Sequence, residues 1–147
     1  MVDETAGDDP ILELESLLVE GEKLAEAGHL DESFEVFKSA TEKFPDSALA
    51  HYNLSVAYFL KLKIDKSQDL WWENKVDDET LLEEAISECR AAVDLEPNFV
   101  AALSNLGLLL ALSGQKIEAI EIWETSLKLE SDQPELRDDL AALKESL

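Results

Sequence analysis

The sequence predicts an all-α fold, a stack of three antiparallel helix pairs closed by a C-terminal helix, on three observations. Glycines recur in pairs: Gly21 and Gly28 lie seven apart, as do Gly107 and Gly114, and the two pairs stand 86 residues apart. Pro45 and Pro97 close the turns KFPDS and LEPNF, 52 residues apart. Both distances fit a period of about 34 residues plus one insertion of about 18, with two periods between the glycine pairs and one between the prolines. The third observation is a recurrent size pattern. Gly21, Ser55 and Gly107 are small on the first helix of each pair, and Ser33, Ala85 and Ala119 are small on the second. Phe37, Cys89 and Trp123 follow one turn later on the same face, where they fill the space between helices.

Taken in order, residues 1–9 (MVDETAGDD) read as a disordered acidic tail and 10–147 as one domain. Asp9-Pro10 is an N-cap followed by proline at the first helical position. Repeat 1 covers about 14–47, and Gly28 is the expected left-handed stop of its first helix. Repeat 2 covers about 48–99 and holds the insertion, about 63–79. The place of Gly28 is taken there by Leu62, so that helix has no recognisable stop. Within the insertion no apolar residue stands between Ile64 and Leu70, and Ser67 is the expected cap of a short turn carrying Leu70, Trp71 and Trp72. Neighbouring side chains on a helix diverge by about 100°, so one indole is expected to pack on its own helix pair and the other to stay partly exposed. Leu70, Trp71 and Trp72 are accordingly expected to form a second contact element. Asp77 to Glu79 read as an acidic start to the next helix, with Thr80 and Glu83 as its capping box. Repeat 3 covers about 100–133. A capping helix, 134–147, places Leu136, Leu140, Leu143 and Leu147 on one stripe.

In this pattern the chain resembles the tetratricopeptide-repeat family, whose signature is an aromatic–x2–Leu–Gly–x2–Tyr helix, an Ala–x3–Phe helix, then proline. Unit one reads Leu17, Glu20, Gly21, Leu24, then Ser33, Phe37, Ala40 and Pro45. Unit two reads His51, Leu54, Ser55, Tyr58, then Ala85, Cys89, Ala92 and Pro97. Unit three reads Leu103, Leu106, Gly107, Leu110, then Ala119, Trp123 and Ser126, with Ser131 in the proline place. The resemblance covers about residues 11 to 147.

It implies a right-handed superhelical stack whose first helices line a concave groove for a partner's peptide or helix. On that face it places Leu18 and Glu22 from unit one. Unit two supplies Leu49, Tyr52, Asn53, Val56, Phe59 and Leu60, and unit three Ser104, Asn105, Leu108 and Leu112. Asn53 and Asn105 fall at equivalent places, where their amides could hold a ligand backbone. Co-chaperones of the family that hold a Glu-Glu-Val-Asp tail use Lys, Asn, Asn, Lys and Arg on this face. The matching residues here are Leu18, Glu22, Asn53, Ala101 and Asn105, of which only Asn53 conforms, so a carboxylate clamp is not expected.

Composition narrows the function further. With 34 acidic against 12 basic residues the net charge is −22, which repels nucleic-acid backbones and anionic membranes and steers in a basic partner. No signal-peptide pattern opens the chain, and a cytoplasmic location is expected. His29, His51 and the lone Cys89 form no metal-ligand or nucleophile set, no glycine-rich phosphate loop exists, and no cofactor is expected. The expected function is therefore a non-enzymatic protein-interaction module, an adaptor or assembly chaperone. Its ligand is expected to be an apolar or amphipathic peptide flanked by basic residues. Two alternatives are a self-associating scaffold, hence a homo-oligomer, and a small acidic chaperone of the bacterial secretion type.

Overall fold

The computed structural model describes residues 9–64, 66–67, 69–73 and 78–147. The acidic tail at 1–8 lies outside them, as do Asp65, Gln68 and residues 74–77 of the insertion, Asp77 included. Seven α-helices occur among the described residues: α1 (Pro10–Glu26), α2 (Leu30–Lys43), α3 (Ala48–Leu62), α4 (Glu79–Leu95), α5 (Val100–Leu112), α6 (Lys116–Leu129) and α7 (Pro134–Glu145). Helices α1/α2, α3/α4 and α5/α6 pair, each pair packs on the next, and α7 closes the stack against α6. No helix among the described residues is long and apolar enough to cross a membrane.

Local chemistry sets the ends of these helices. The Asp9 carboxylate accepts from the Ile11 amide at 2.9 Å, and the Ser47 hydroxyl accepts from Ala50 at 3.1 Å. Gly28 and Gly114 adopt φ of 84° and 83°, the left-handed stop that reverses the chain into the second helix of a pair. In repeat 2 the stop is present after all. Lys63 takes the left-handed conformation at φ 55°, one place beyond Leu62, so the insertion starts from a terminated helix. The start of α4 also differs from expectation. Its cap is Asp78, whose carboxylate accepts from Leu81 at 3.1 Å, whereas Thr80 already lies inside the helix.

The small residues act as contact points between helices. At Gly21 the ring of Phe37 occupies the space a Cβ would need, and at Gly107 the indole of Trp123 does the same. Ser33 Oγ donates to the Gly21 carbonyl at 2.7 Å. Ser55, in the glycine place of repeat 2, uses its hydroxyl in the same way and donates to the Ala85 carbonyl of α4 at 2.8 Å. Cys89 is fully buried, and its thiol donates to the Ala102 carbonyl at 3.1 Å. Burial pushes that thiol up to about 11, well above the range in which a thiolate would react.

The insertion departs most from its sequence reading. Trp71–Glu73 form a single 3-10 turn in contact with α5. Both indoles are buried, Trp71 at 3% exposure and Trp72 at 4%, and they meet edge to face with centroids 5.4 Å apart. The expectation of one exposed ring is therefore wrong. The turn lies against α5 within the main apolar cluster, and Trp71 Nε1 donates to Asp139 of α7 at 3.2 Å. Leu70 alone of the three stays substantially exposed, in a left-handed conformation at φ 53°.

Candidate functional site

Two recesses flank α3. The first, about 200 Å³, lies between α1, α2 and α3. Its walls are Glu22, Ala25 and Glu26 of α1, Leu30, Ser33 and Phe37 of α2, and Asn53, Val56, Ala57 and Leu60 of α3. The second, about 610 Å³, is bounded by Tyr52 of α3, Val100, Ala101, Ser104, Asn105 and Leu108 of α5, and Leu136 and Asp139 of α7. Lys66 of the insertion, with Glu130 and Glu135, completes its rim.

The twelve groove positions expected from sequence do not form one surface. Glu22, Asn53, Val56 and Leu60 share the first recess, and Tyr52, Ser104, Asn105 and Leu108 share the second. Leu49 lies apart, in a depression with Leu14, Phe44 and Glu96. Leu18 is buried in the apolar cluster of the first pair. Leu108 and Leu112 belong to the cluster that contains Trp71 and Trp72, against which Phe59 also packs. The insertion thus packs against part of the α5 face that the family resemblance assigns to a ligand. For the same reason Trp71 and Trp72 are not an exposed second contact element: they face the core.

The two equivalent asparagines differ as well. Asn105 Nδ2 donates to Ser55 Oγ at 3.2 Å and approaches Cys89 Sγ at 3.8 Å, so its amide is engaged inside the stack. Asn53 Nδ2 is buried without a hydrogen-bond partner among the described residues. Ser104 is likewise occupied, 2.7 Å from Ser126 Oγ and 2.8 Å from Gln133 Oε1, in a network joining α5, α6 and the start of α7. Tyr52 is half-buried with its ring on Phe99, centroids 5.1 Å apart, and burial raises its phenol above the ordinary value. His51 bridges Glu88, at 2.6 Å, and the Pro45 carbonyl, at 2.7 Å, which is a structural contact between α3 and α4.

Sequence reasoning missed the α7 wall, Leu136 and Asp139, and the rim residue Lys66. The leucine stripe of α7 announced a cap, yet nothing local announced that its neighbour Asp139 would meet an indole 68 positions earlier. Partial burial raises the Asp139 carboxyl, an effect opposed by the Trp71 hydrogen bond and Lys66 and reinforced by Glu135 and Asp138. A raised carboxyl favours the fold most while protonated, below the usual aspartate range, and that contribution is lost as pH rises through the raised value. Asp139→Asn keeps an oxygen for the Trp71 indole and removes the charge. Its melting temperature is expected to exceed that of the unaltered protein near pH 7, with the gap closing below about pH 4. A variant less stable at pH 7 would mean that attraction to Lys66 outweighs the cost of burial.

No protein-family model matches the chain. Among curated proteins it is similar to small glutamine-rich tetratricopeptide repeat-containing protein 2 of Mycosarcoma maydis, at 27% identity over 140 residues. That alignment covers 95% of this chain and 35% of the relative, so the chain spans about a third of the protein it matches. Among solved structures, one similar fold is the first TPR of Spaghetti (RPAP3) bound to the HSP90 peptide SRMEEVD. The TM-score is 0.75 at 22% identity, over 90% of this chain and 91% of that one. Another is the second TPR domain of human RPAP3 in complex with the HSP70 peptide SGPTIEEVD, with TM-score 0.73 at 21% identity over 92% and 98% of the two chains. Paired helices in register, joined through small-to-large contacts at a fixed period, and these matches together establish that the chain has the tetratricopeptide-repeat fold, with an insertion inside its second repeat.

Proposed function

We propose that the chain is a non-enzymatic protein-interaction module, an adaptor or assembly chaperone, holding an apolar peptide flanked by basic residues beside α3. The observation that carries this reading is the open second recess. It keeps apolar walls at Val100, Ala101, Leu108 and Leu136 beneath a mostly acidic rim of Glu130, Glu135 and Asp139. Apolar walls hold side chains of a peptide, and a net charge of −22 draws in a basic one. Two of the similar structures are described with peptides ending in Glu-Glu-Val-Asp. The carboxylate-binding pattern is largely absent from this chain: Leu18 is buried, Glu22 carries negative charge, Ala101 is apolar and Asn105 is engaged internally. The favoured ligand is therefore an internal segment rather than a free acidic C-terminus.

Ala101 is exposed on the wall of the second recess, so Ala101→Arg fills that recess without disturbing the core. Peptides selected by the unaltered protein from a displayed library are expected to lose binding about tenfold or more to Ala101→Arg, at an unchanged melting temperature. Equal binding by the two proteins moves the site elsewhere. A peptide ending in Glu-Glu-Val-Asp is expected to bind no better than its C-amidated form, read by fluorescence polarisation; a clear preference for the free acid restores the clamp.

A second reading, self-association, has its own observation. Ile11, Leu12 and Val19 leave α1 with exposed apolar groups at 68%, 51% and 47%. A mass by light scattering that rises with concentration, and that Val19→Glu returns to the monomer value, would favour it.

A further inference from the structure

The first recess carries a more specific ligand chemistry than apolar packing. Glu22 and Glu26 stand one turn apart on α1, where like charges repel, and both are exposed with no ion-pair partner among the described residues. Elsewhere among the described residues five carboxylates do find a lysine or arginine on this surface, as in Lys43–Glu13, Arg90–Glu118 and Lys144–Glu124. The same recess holds Asn53, which is 8% exposed and whose Nδ2 has no acceptor among the described residues. The other hydrogen-bonding side chain there, Ser33, is already committed to the Gly21 carbonyl. An unpaired buried amide lacks an acceptor, and a repelling carboxylate pair lacks a cation.

We propose that this recess is an anchor site for one basic residue, arginine in the first instance, of an internal peptide segment. Asn53, once its side chain turns toward the recess, donates from Nδ2 to the peptide's backbone carbonyl. The guanidinium bridges Glu22 and Glu26, and its methylene stem lies on Val56 and Leu60. The pairing reverses the charge sense of a site for an acidic tail, because Glu22 stands where such a site has asparagine. This inference rests on the proposed peptide-binding function and names the residue that sets its specificity.

The test uses N-acetylated, C-amidated nonapeptide pools with positions drawn from alanine, leucine, serine and tyrosine. The centre is fixed as arginine, as its neutral isostere citrulline, or as glutamate. The arginine pool is expected to be retained about tenfold better than citrulline at low salt, with glutamate weakest, and the preference shrinks as salt screens the charges. Glu22→Gln with Glu26→Gln changes only exposed groups and is expected to erase the difference between arginine and citrulline. Asn53→Ala removes an unpaired amide, so the fold is retained while both pools weaken together. If the arginine preference survives the double variant, or never appears although all pools bind and Ala101→Arg abolishes that binding, the anchor is overturned and the groove stands. If no pool binds the unaltered protein, the groove reading falls and the anchor with it.

Discussion

Replacing Gly107 with alanine is expected to destabilise the protein by about 3 kcal/mol, and with leucine to unfold the third repeat at room temperature. A Cβ at Gly107 would collide with the Trp123 indole. The ring cannot step aside, because Trp123 is buried at 1% exposure and its Nε1 donates to the Ser104 carbonyl at 2.9 Å. Relief would require α5 and α6 to separate, which weakens the contact on which the α7 cap is built. The control is Gly114→Ala. Nothing lies within 4 Å of a Cβ there, and only the left-handed φ of 83° is strained, so the cost is about 1 kcal/mol. Urea unfolding midpoints separate the two. Equal losses would show that the close approach of α5 and α6 contributes no more than a turn.

Trp71→Ala and Trp72→Ala are each expected to cost about 3–5 kcal/mol, the usual range for emptying a buried aromatic site. Truncation to phenylalanine should distinguish them. Trp71 donates to Asp139, so Trp71→Phe leaves a partly buried carboxylate without its indole donor and is expected to lower the melting temperature clearly. Trp72 Nε1 is buried with no partner among the described residues, so Trp72→Phe discards an unsatisfied donor along with some ring area, and the net change is expected within about 1 kcal/mol. Thermal unfolding at one pH reads both. A larger loss for Trp72→Phe than for Trp71→Phe would mean that indole area outweighs hydrogen-bond pairing in this cluster.

Much of the fold was legible because each helix pair is specified within a short span of chain. The helix-reversing glycines, the Asp9-Pro10 start and the small-to-large contacts between neighbouring helices follow from residues at most about one period apart. Where signals were overlaid on one another the reading slipped: Thr80 and Glu83 match a capping box, yet Asp78 lies earlier and intercepts the Leu81 amide. Lys63 could not be read as a stop because lysine has no preference for the left-handed backbone it adopts here.

The candidate site was legible only in part. Sequence alone determined the period, the helical stack, the acidic surface and the place of the insertion, since these depend on residue type and spacing. Tertiary structure decided that Trp71 and Trp72 turn inward onto α5, where Asp139 of α7 receives the Trp71 indole from far along the chain. It also separated Asn53 from Asn105, which the repeat makes equivalent. The hydroxyl of Ser55 takes the amide of Asn105, whereas no such group among the described residues reaches Asn53 Nδ2. A repeating sequence encodes contacts between adjacent repeats, but which polar atoms remain unpaired depends on every side chain that converges there in space.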